Sequence, residues 1–361
     1  MKTLLNRYTV SPFFVFYLIH SNQVGIGILS FQRAITLNAG YDAWISVLLS
    51  GISISIVIWM MYRILKLAKN DLVSINQICF GKWIGTVLNF SMVLYFLTGA
   101  VFILCSYIEL IHTWMFPLMK TWHISVILLL LIYYIVSGGF RIVTGMCFIS
   151  VVLPLALMIV MLFLPLKYVK IDHFSTMFSH SFHDILLSSK TMALQFLGFE
   201  ALFMYYPLIK DSEKSEKWAQ WGLLSTIVVY LFVTLLTFGY FSEDQLSHII
   251  WPTLTMIKTN QLPFIERFEY IVISLWLLII IPNISLNIWA ACRGVKRVFN
   301  MKKHFSLILF MALLFVISEL LNDRKSIKYL AMFYSDIGKY FTYFYIPLLF
   351  VIIHLRQFFK R

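Results

Sequence analysis

Apolar residues fall in long runs separated by short polar or charged intervals, and these runs set the architecture. Runs able to cross about 30 Å of hydrocarbon at ~20 residues per helix extend over Tyr8 to Gln32, Ala43 to Tyr62, Ile84 to Ile108, Ile142 to Leu166, Trp218 to Ser242 and Tyr270 to Cys292. Four weaker runs complete the pattern: Ile124 to Phe140, Thr191 to Ile209, Phe305 to Ser318 and Tyr340 to Leu355. The pattern predicts an all-α polytopic membrane protein with ten transmembrane helices. The tails and intervals are too short to fold alone, so function is expected inside the bundle.

Two of the runs are interrupted, by Gly25-Ile26-Gly27 in the first and by Leu197-Gly198-Phe199-Glu200 in the sixth; Gly25 and Gly198 lie 173 residues apart. In hydrocarbon every backbone N–H and C=O must be paired, so irregular backbone at mid-depth survives only where it lines a protein-enclosed cavity. Breaks at corresponding positions of two halves mark the binding site of a transporter-like fold. Gly25 and Gly27 permit an unwound turn and a close approach of backbone to ligand, although Gly-x-Gly also serves close helix packing. His20, Ser21, Asn22 and Gln23 form a polar run beside the first break. Glu200 is the one acid expected near mid-membrane, where a carboxylate costs about 2.5 to 3.5 kcal/mol on insertion scales. It reads as a proton-linked switch, a ligand contact or an anchor for freed amides. In segment eight Pro282 frees a carbonyl, and Asn283, Ser285 and Asn287 bring polar side chains towards the breaks.

Five runs precede the connection Lys167 to Ser189 and five follow it. Halves with an odd number of crossings enter the bilayer in opposite orientations. The chain therefore reads as a single bundle over residues 1–361 with a five-plus-five inverted repeat, about 8–166 and about 190–355. The connection Glu243 to Arg267, with Trp251-Pro252-Thr253-Leu254 followed by Glu266-Arg267-Phe268-Glu269, is expected to be partly helical and to cover an outer vestibule.

Composition agrees with a membrane bundle: 60% of residues are hydrophobic, 17% aromatic and only 12% charged, more apolar than a soluble core can hide. The net charge of +13 raises the question of nucleic acid, but the placement of Lys and Arg answers it. With the N-terminus cytoplasmic, well over half of them fall in inner segments such as Arg63 to Lys82, Lys210 to Lys217 and Arg293 to Lys303. The positive-inside rule then puts both termini in the cytoplasm. No nucleic-acid partner is expected. Lys2 and Arg7 precede the first run as in a secretory signal, yet the run is too long and lacks a small-x-small cleavage site before Gln32. Cys79, Cys105, Cys147 and Cys292 are scattered, so neither a disulfide framework nor a zinc site is indicated. His180 and His183 read as interfacial residues. With no hydrolase, zinc-protease or nucleotide-binding motif, neither enzymatic activity nor a cofactor is expected.

The two interrupted segments, the Trp251 to Leu254 stretch and the Glu266 to Glu269 stretch together resemble the B subunit of Ger-type spore germinant receptors, over most of the chain. That family resembles a branch of the amino acid/polyamine/organocation transporters. The resemblance implies a place in the spore inner membrane, A and C partner subunits, and a small nutrient ligand, often an amino acid, held between segments one and six. Physical reasoning adds a site framed by Gly25, Ile26, Gly27, Gly198 and Phe199, with Ser21, Gln23 and Asn283 contributing and Glu200 in a gating or proton-linked role. Half-helix N-termini would receive the ligand carboxylate, and carbonyls at the opposite half-helix ends its ammonium. The alternative is a proton- or cation-coupled secondary transporter of amino acids. Segment five offers no Lys to replace a sodium ion.

Overall fold

The computed structural model describes residues 9–155, 159, 163–259 and 267–358. Lys2, Arg7, Tyr8 and Glu266 lie outside the described residues, as does part of the expected fifth run. The chain is built from α1 (Phe14–Gln23), α2 (Phe31–Ala39), α3 (Ala43–Ala68), α4 (Leu72–Trp114), α5 (Thr121–Ser137) and α6 (Phe140–Val152). It continues with α7 (Phe182–Met192), α8 (Leu202–Tyr205), α9 (Glu216–Tyr240), α10 (Glu243–His248), α11 (Pro252–Thr259) and α12 (Phe268–Phe299). The last elements are α13 (Lys303–Leu320), α14 (Arg324–Tyr340) and α15 (Ile346–Phe358). An isolated bridge pairs Val10 with Ile209, and no named strand occurs among the described residues.

Among the described residues six helical stretches are long and apolar enough to cross a membrane: Phe31–Ala68, Leu72–Trp114, Ser212–Tyr240, Phe268–Phe299, Lys303–Leu320 and Arg324–Phe358. Thr121–Ser137 and Phe140–Val152 are shorter apolar helices. Side chains such as Trp83, Ile127, Leu130 and Tyr134 stand exposed on the outside of the bundle, as lipid-facing positions require.

Helix boundaries depart from the apolar runs where polar turns extend them. The first run was expected to end at Gln32, but α2 continues to Ala39 because Phe31, Ile35 and Ala39 are buried on one face. The sixth starts early, at Phe182, behind a capping box in which Ser181 and Asp184 satisfy each other's backbone N–H groups. The tenth starts at Arg324, where Asp323 caps the N–H of Ser326, and runs through a π-helical turn, Phe341–Tyr345, into α15. The third reaches back to Leu72 through a kink at Gly81, whose φ is 80°. α6 stops at Val152, just before Pro154, which has no N–H to continue the ladder.

Polar contacts sort the connections onto the two ends of the bundle. At one end Asp71 pairs with Arg293 at 3.3 Å and Arg297 at 3.1 Å, Lys66 meets Glu216, and Val10 N–H donates to the Leu208 carbonyl at 2.9 Å. At the other end the Asp42 carboxylate accepts from the N–H groups of Ser179 and His180, each at 2.9 Å. Arg324 pairs there with Glu109 at 3.7 Å. The first group consists of segments expected inside and the second of segments expected outside, so they are called the inner and outer ends below.

A candidate ligand-binding site at the two breaks

Both interruptions fall where the glycines stand. α1 ends at Gln23, Val24 is extended, and after Gly25 a 3-10 turn, Ile26–Leu29, leads into α2. The second break follows a 3-10 turn, Ala193–Phe196: Leu197 is extended, Gly198 takes a φ of 110°, and another short turn, Phe199–Ala201, leads into α8. Unwinding frees backbone groups, and side chains from both breaks and two other helices satisfy them. Asn22 Nδ2 donates to the Gly198 carbonyl at 2.6 Å and Gln23 Nε2 to the Phe196 carbonyl at 2.9 Å. From α12, Asn283 Nδ2 donates to Ser21 O at 2.8 Å. From α9, the Tyr230 hydroxyl donates to Gln23 O at 3.0 Å. Four elements thus lock the two breaks against each other.

A cavity of about 530 Å³ runs from the breaks towards the outer end. Of the residues expected at the site, Gln23, Gly25, Ile26, Gly27, Gly198 and Asn283 line it. Ser21 and Phe199 do not: both are buried, with the Ser21 side chain beside Cys147 and Phe199 packed in the hydrophobic core. Asn287 also lines the cavity, whereas Ser285 is buried elsewhere without a hydrogen-bond partner. The Oδ1 of Asn22 and the Oε1 of Gln23 are buried acceptors with no partner among the described residues. The first N–H groups of the Ile26–Leu29 turn precede any intrahelical bond.

Several lining residues were missed by the sequence reading. Gln195 presses on Gly27 so closely that a β-carbon there would overlap its amide. Tyr230 sits in an apolar run whose helix has no strongly polar face to mark it. The mouth is ringed by Arg33, Glu109, Arg324 and Lys328, and Arg33 Nε is buried without a partner among the described residues. Ile250 and Trp251 close one side. Their connection is pinned to the first break: Thr253 donates to Ile28 O at 2.9 Å and accepts from Gln32 at 2.6 Å. The helices α10 and α11 give this outer connection its covering position.

Glu200 lies outside the cavity wall, fully buried behind the second break. Its Oε2 accepts the Gly198 N–H at 2.6 Å, which gives it the anchor role for a freed amide. Oε1 has no partner of hydrogen-bond geometry among the described residues, although the hydroxyls of Tyr95 on α4 and Thr342 in the π-helical turn are its neighbours. Tyr95 stacks on Tyr334 with ring centroids 5.2 Å apart, and Tyr334 lines the cavity. Tyr334 and Tyr95 thus form a side-chain path from the cavity to the buried acid, and Gly198, which lines the cavity and donates to Glu200, forms a shorter backbone one. His180 and His183 do not converge on a metal: His180 bonds Asp42 at 3.2 Å, His183 is largely exposed, and no metal-binding cluster occurs among the described residues.

Helices broken in pairs around a polar cavity, in an apolar bundle with lipid-facing side chains, define a membrane protein of transporter fold. The fold is similar to that of a Na⁺-coupled sialic acid symporter solved in a substrate-bound outward-open state, with a TM-score of 0.65 at 11% identity over 97% of this chain and 77% of the symporter. The family model for spore germination proteins matches residues 9–327, and the chain belongs to that family. It is 42% identical over 352 residues to spore germination protein GerQB of Bacillus cereus, covering 98% of each chain. It is 24% identical over 352 residues to spore germination protein A2 of Bacillus subtilis (strain 168), covering 94% of each. The family is one of spore germination proteins and the fold is that of a transporter, neither of them a class of enzymes.

Proposed function

We propose that this protein is the nutrient-binding B subunit of a spore germinant receptor, acting beside A and C subunits in the spore inner membrane to trigger germination. The observation that carries the reading is the convergence of both breaks on one cavity lined by the polar side chains of Asn22, Gln23 and Asn283. An amino acid suits the lining. Its ammonium can meet the polar wall that Asn22, Gln23 and Asn283 contribute, and its carboxylate can meet the first N–H groups of the Ile26–Leu29 turn under the field of Arg33. Gln23, Gly25, Ile26, Gly27, Gly198 and Asn283 form the pocket in this reading, with Ser21 and Phe199 supporting it from behind. Glu200 reports occupancy through Tyr334 and Tyr95. Ten crossings, a five-plus-five repeat over about 8–166 and 190–355, and cytoplasmic termini belong to the same reading; the charge distribution between the two ends supports that orientation.

Thermal-shift titration of the purified protein with a panel of amino acids and sugars tests the ligand. At least one amino acid is expected to raise the unfolding midpoint of the wild type and not that of Gly25→Leu, whose side chain fills the floor. Stabilisation of both proteins alike would remove the cavity from the account. The second reading, a secondary amino acid transporter, draws on the likeness to a symporter fold. Uptake of the labelled ligand into proteoliposomes separates the two: a receptor binds without accumulating it.

A further inference from the structure

A second cavity, about 640 Å³, opens at the inner end, away from the breaks. It lies between the α5–α6 corner, the C-terminal part of α12 and the start of α13. Arg141, Arg293, Lys296 and Lys303 contribute to its lining, and among the described residues no Asp or Glu does. The nearest compensating acid, Asp71, is shared between Arg293 and Arg297. On Arg293 the Nε remains buried without a hydrogen-bond partner among the described residues. Lys303 reaches across to the Ser137 carbonyl at 3.0 Å, which brings its ammonium to the Gly138-Gly139 corner. There Gly139, with a φ of 91°, turns the chain into α6, and the first N–H groups of that 13-residue helix add their partial positive charge. Arg293, Lys296 and Lys303, gathered with Asp71 as their shared acid among the described residues, repel one another. Such an arrangement is stabilised by an anion.

The remaining lining points to the kind of anion. Phe140 and Trp289, ring centroids 4.7 Å apart, form an aromatic wall, and Ile142, 48% exposed on the bundle surface, opens the recess sideways. A charged recess beside an apolar lateral opening fits a phosphate carried on an acyl chain, and basic pockets between helices at the inner leaflet hold such headgroups. We propose that this recess binds a phosphate-type oxyanion, supplied either by the headgroup of an anionic lipid or by free phosphate or pyrophosphate. The site is independent of the ligand cavity and of the nutrient-receptor reading.

The test uses the full-length protein in lipid nanodiscs. Thermal unfolding is followed as phosphatidylglycerol replaces phosphatidylcholine, and separately as inorganic phosphate or pyrophosphate is added to phosphatidylcholine discs. Phosphatidylglycerol is expected to raise the wild-type midpoint by about 3 °C. In the double variant Lys296→Gln/Lys303→Gln, whose midpoint in pure phosphatidylcholine reports its folding, the apparent affinity falls roughly thirtyfold at about 1 kcal/mol per cation. Lys296→Arg/Lys303→Arg retains it. A response to phosphatidylglycerol alone assigns the site to lipid, and a response to phosphate or pyrophosphate assigns it to the free anion. If the double variant fails to fold, the exposed Lys296→Glu single variant replaces it. Equal responses from wild type and variant, or none to any of these probes, would overturn the site.

Discussion

The two breaks solve one problem, freed backbone in hydrocarbon, by opposite means. At the first, other helices supply the partners: Asn283 from α12 and Tyr230 from α9 occupy the carbonyls of Ser21 and Gln23, and both glycines line the cavity. At the second the segment supplies its own partner, since Glu200 takes the N–H of Gly198 only two residues away, while Asn22 closes on the Gly198 carbonyl. The first break is braced from outside and open to a ligand. The second is held by its own acid and by the Asn22 and Gln23 side chains of the first. A glycine is therefore needed for different reasons at each, and substitutions can separate them.

The largest effect is expected at Gly198. Its φ of 110° belongs to the left-handed region, and a β-carbon there would lie 2.7 Å from the Asn22 carbonyl, a backbone atom that cannot step aside. Conformation costs ~1–2 kcal/mol, and overpacking against fixed backbone ~1–3 kcal/mol. Gly198→Ala should lose roughly 2–5 kcal/mol in total, read as a lower unfolding midpoint in detergent. A midpoint unchanged from wild type would mean that the second break relaxes freely.

Glu200 comes next. Glu200→Leu leaves the Gly198 N–H buried and unpaired, a loss of ~1–3 kcal/mol, whereas Glu200→Gln keeps an acceptor in place and should fold nearly as well. The pair also separates structure from signalling. If the acid is the switch, Glu200→Gln folds and binds ligand but blunts the germination response of spores; an unaltered response and pH dependence would leave the residue as a hydrogen-bonding anchor only.

How much of this was legible in the chain depends on what announces itself in one dimension. Gly25-Ile26-Gly27 and the buried acid Glu200 stood out because each violates a rule of the bilayer, and the structure puts backbone irregularities at both places. Asn283 was visible for the same reason. Gln195 and Tyr230 were not, because in a helix apolar nearly all round, periodicity does not say which side faces the ligand. Arg33, Arg324 and Lys328 were lost for a different reason: hydropathy ended the first run at Gln32 and began the last at Tyr340. Yet α2 and α14 carry their charges outward as amphipathic helices and bury only one face. Polar helix ends that enclose a vestibule are thus the parts that a search for apolar runs discards. Ser21 and Phe199 illustrate the converse error, since adjacency in sequence to a break does not fix which way a side chain points.

A smaller, local effect separates the glycines of the first break. At Gly27 a β-carbon would overlap the Gln195 amide, the far end of a flexible side chain, so Gly27→Ala should fold but displace Gln195 into the cavity. Ligand affinity is expected to fall about tenfold, equivalent to ~1.4 kcal/mol, and Gln195→Ala in the same chain should restore part of it. Additive losses in the double variant would show that the two residues act separately.

The smallest effect, and the sharpest check on the comparison, is expected at Gly25. Its φ of −136° is open to other residues, and the atom nearest to an added β-carbon is Asn283 Oδ1 at 3.5 Å, an ordinary contact. Gly25→Ala should therefore change stability by less than about 0.5 kcal/mol, while larger side chains at the same position lower ligand affinity in order of volume. Its glycine is then kept for space and not for conformation, the reverse of Gly198. A loss for Gly25→Ala as large as that for Gly198→Ala would mean that the first break also depends on its own backbone, and that bracing by Asn283 and Tyr230 is not what holds it open.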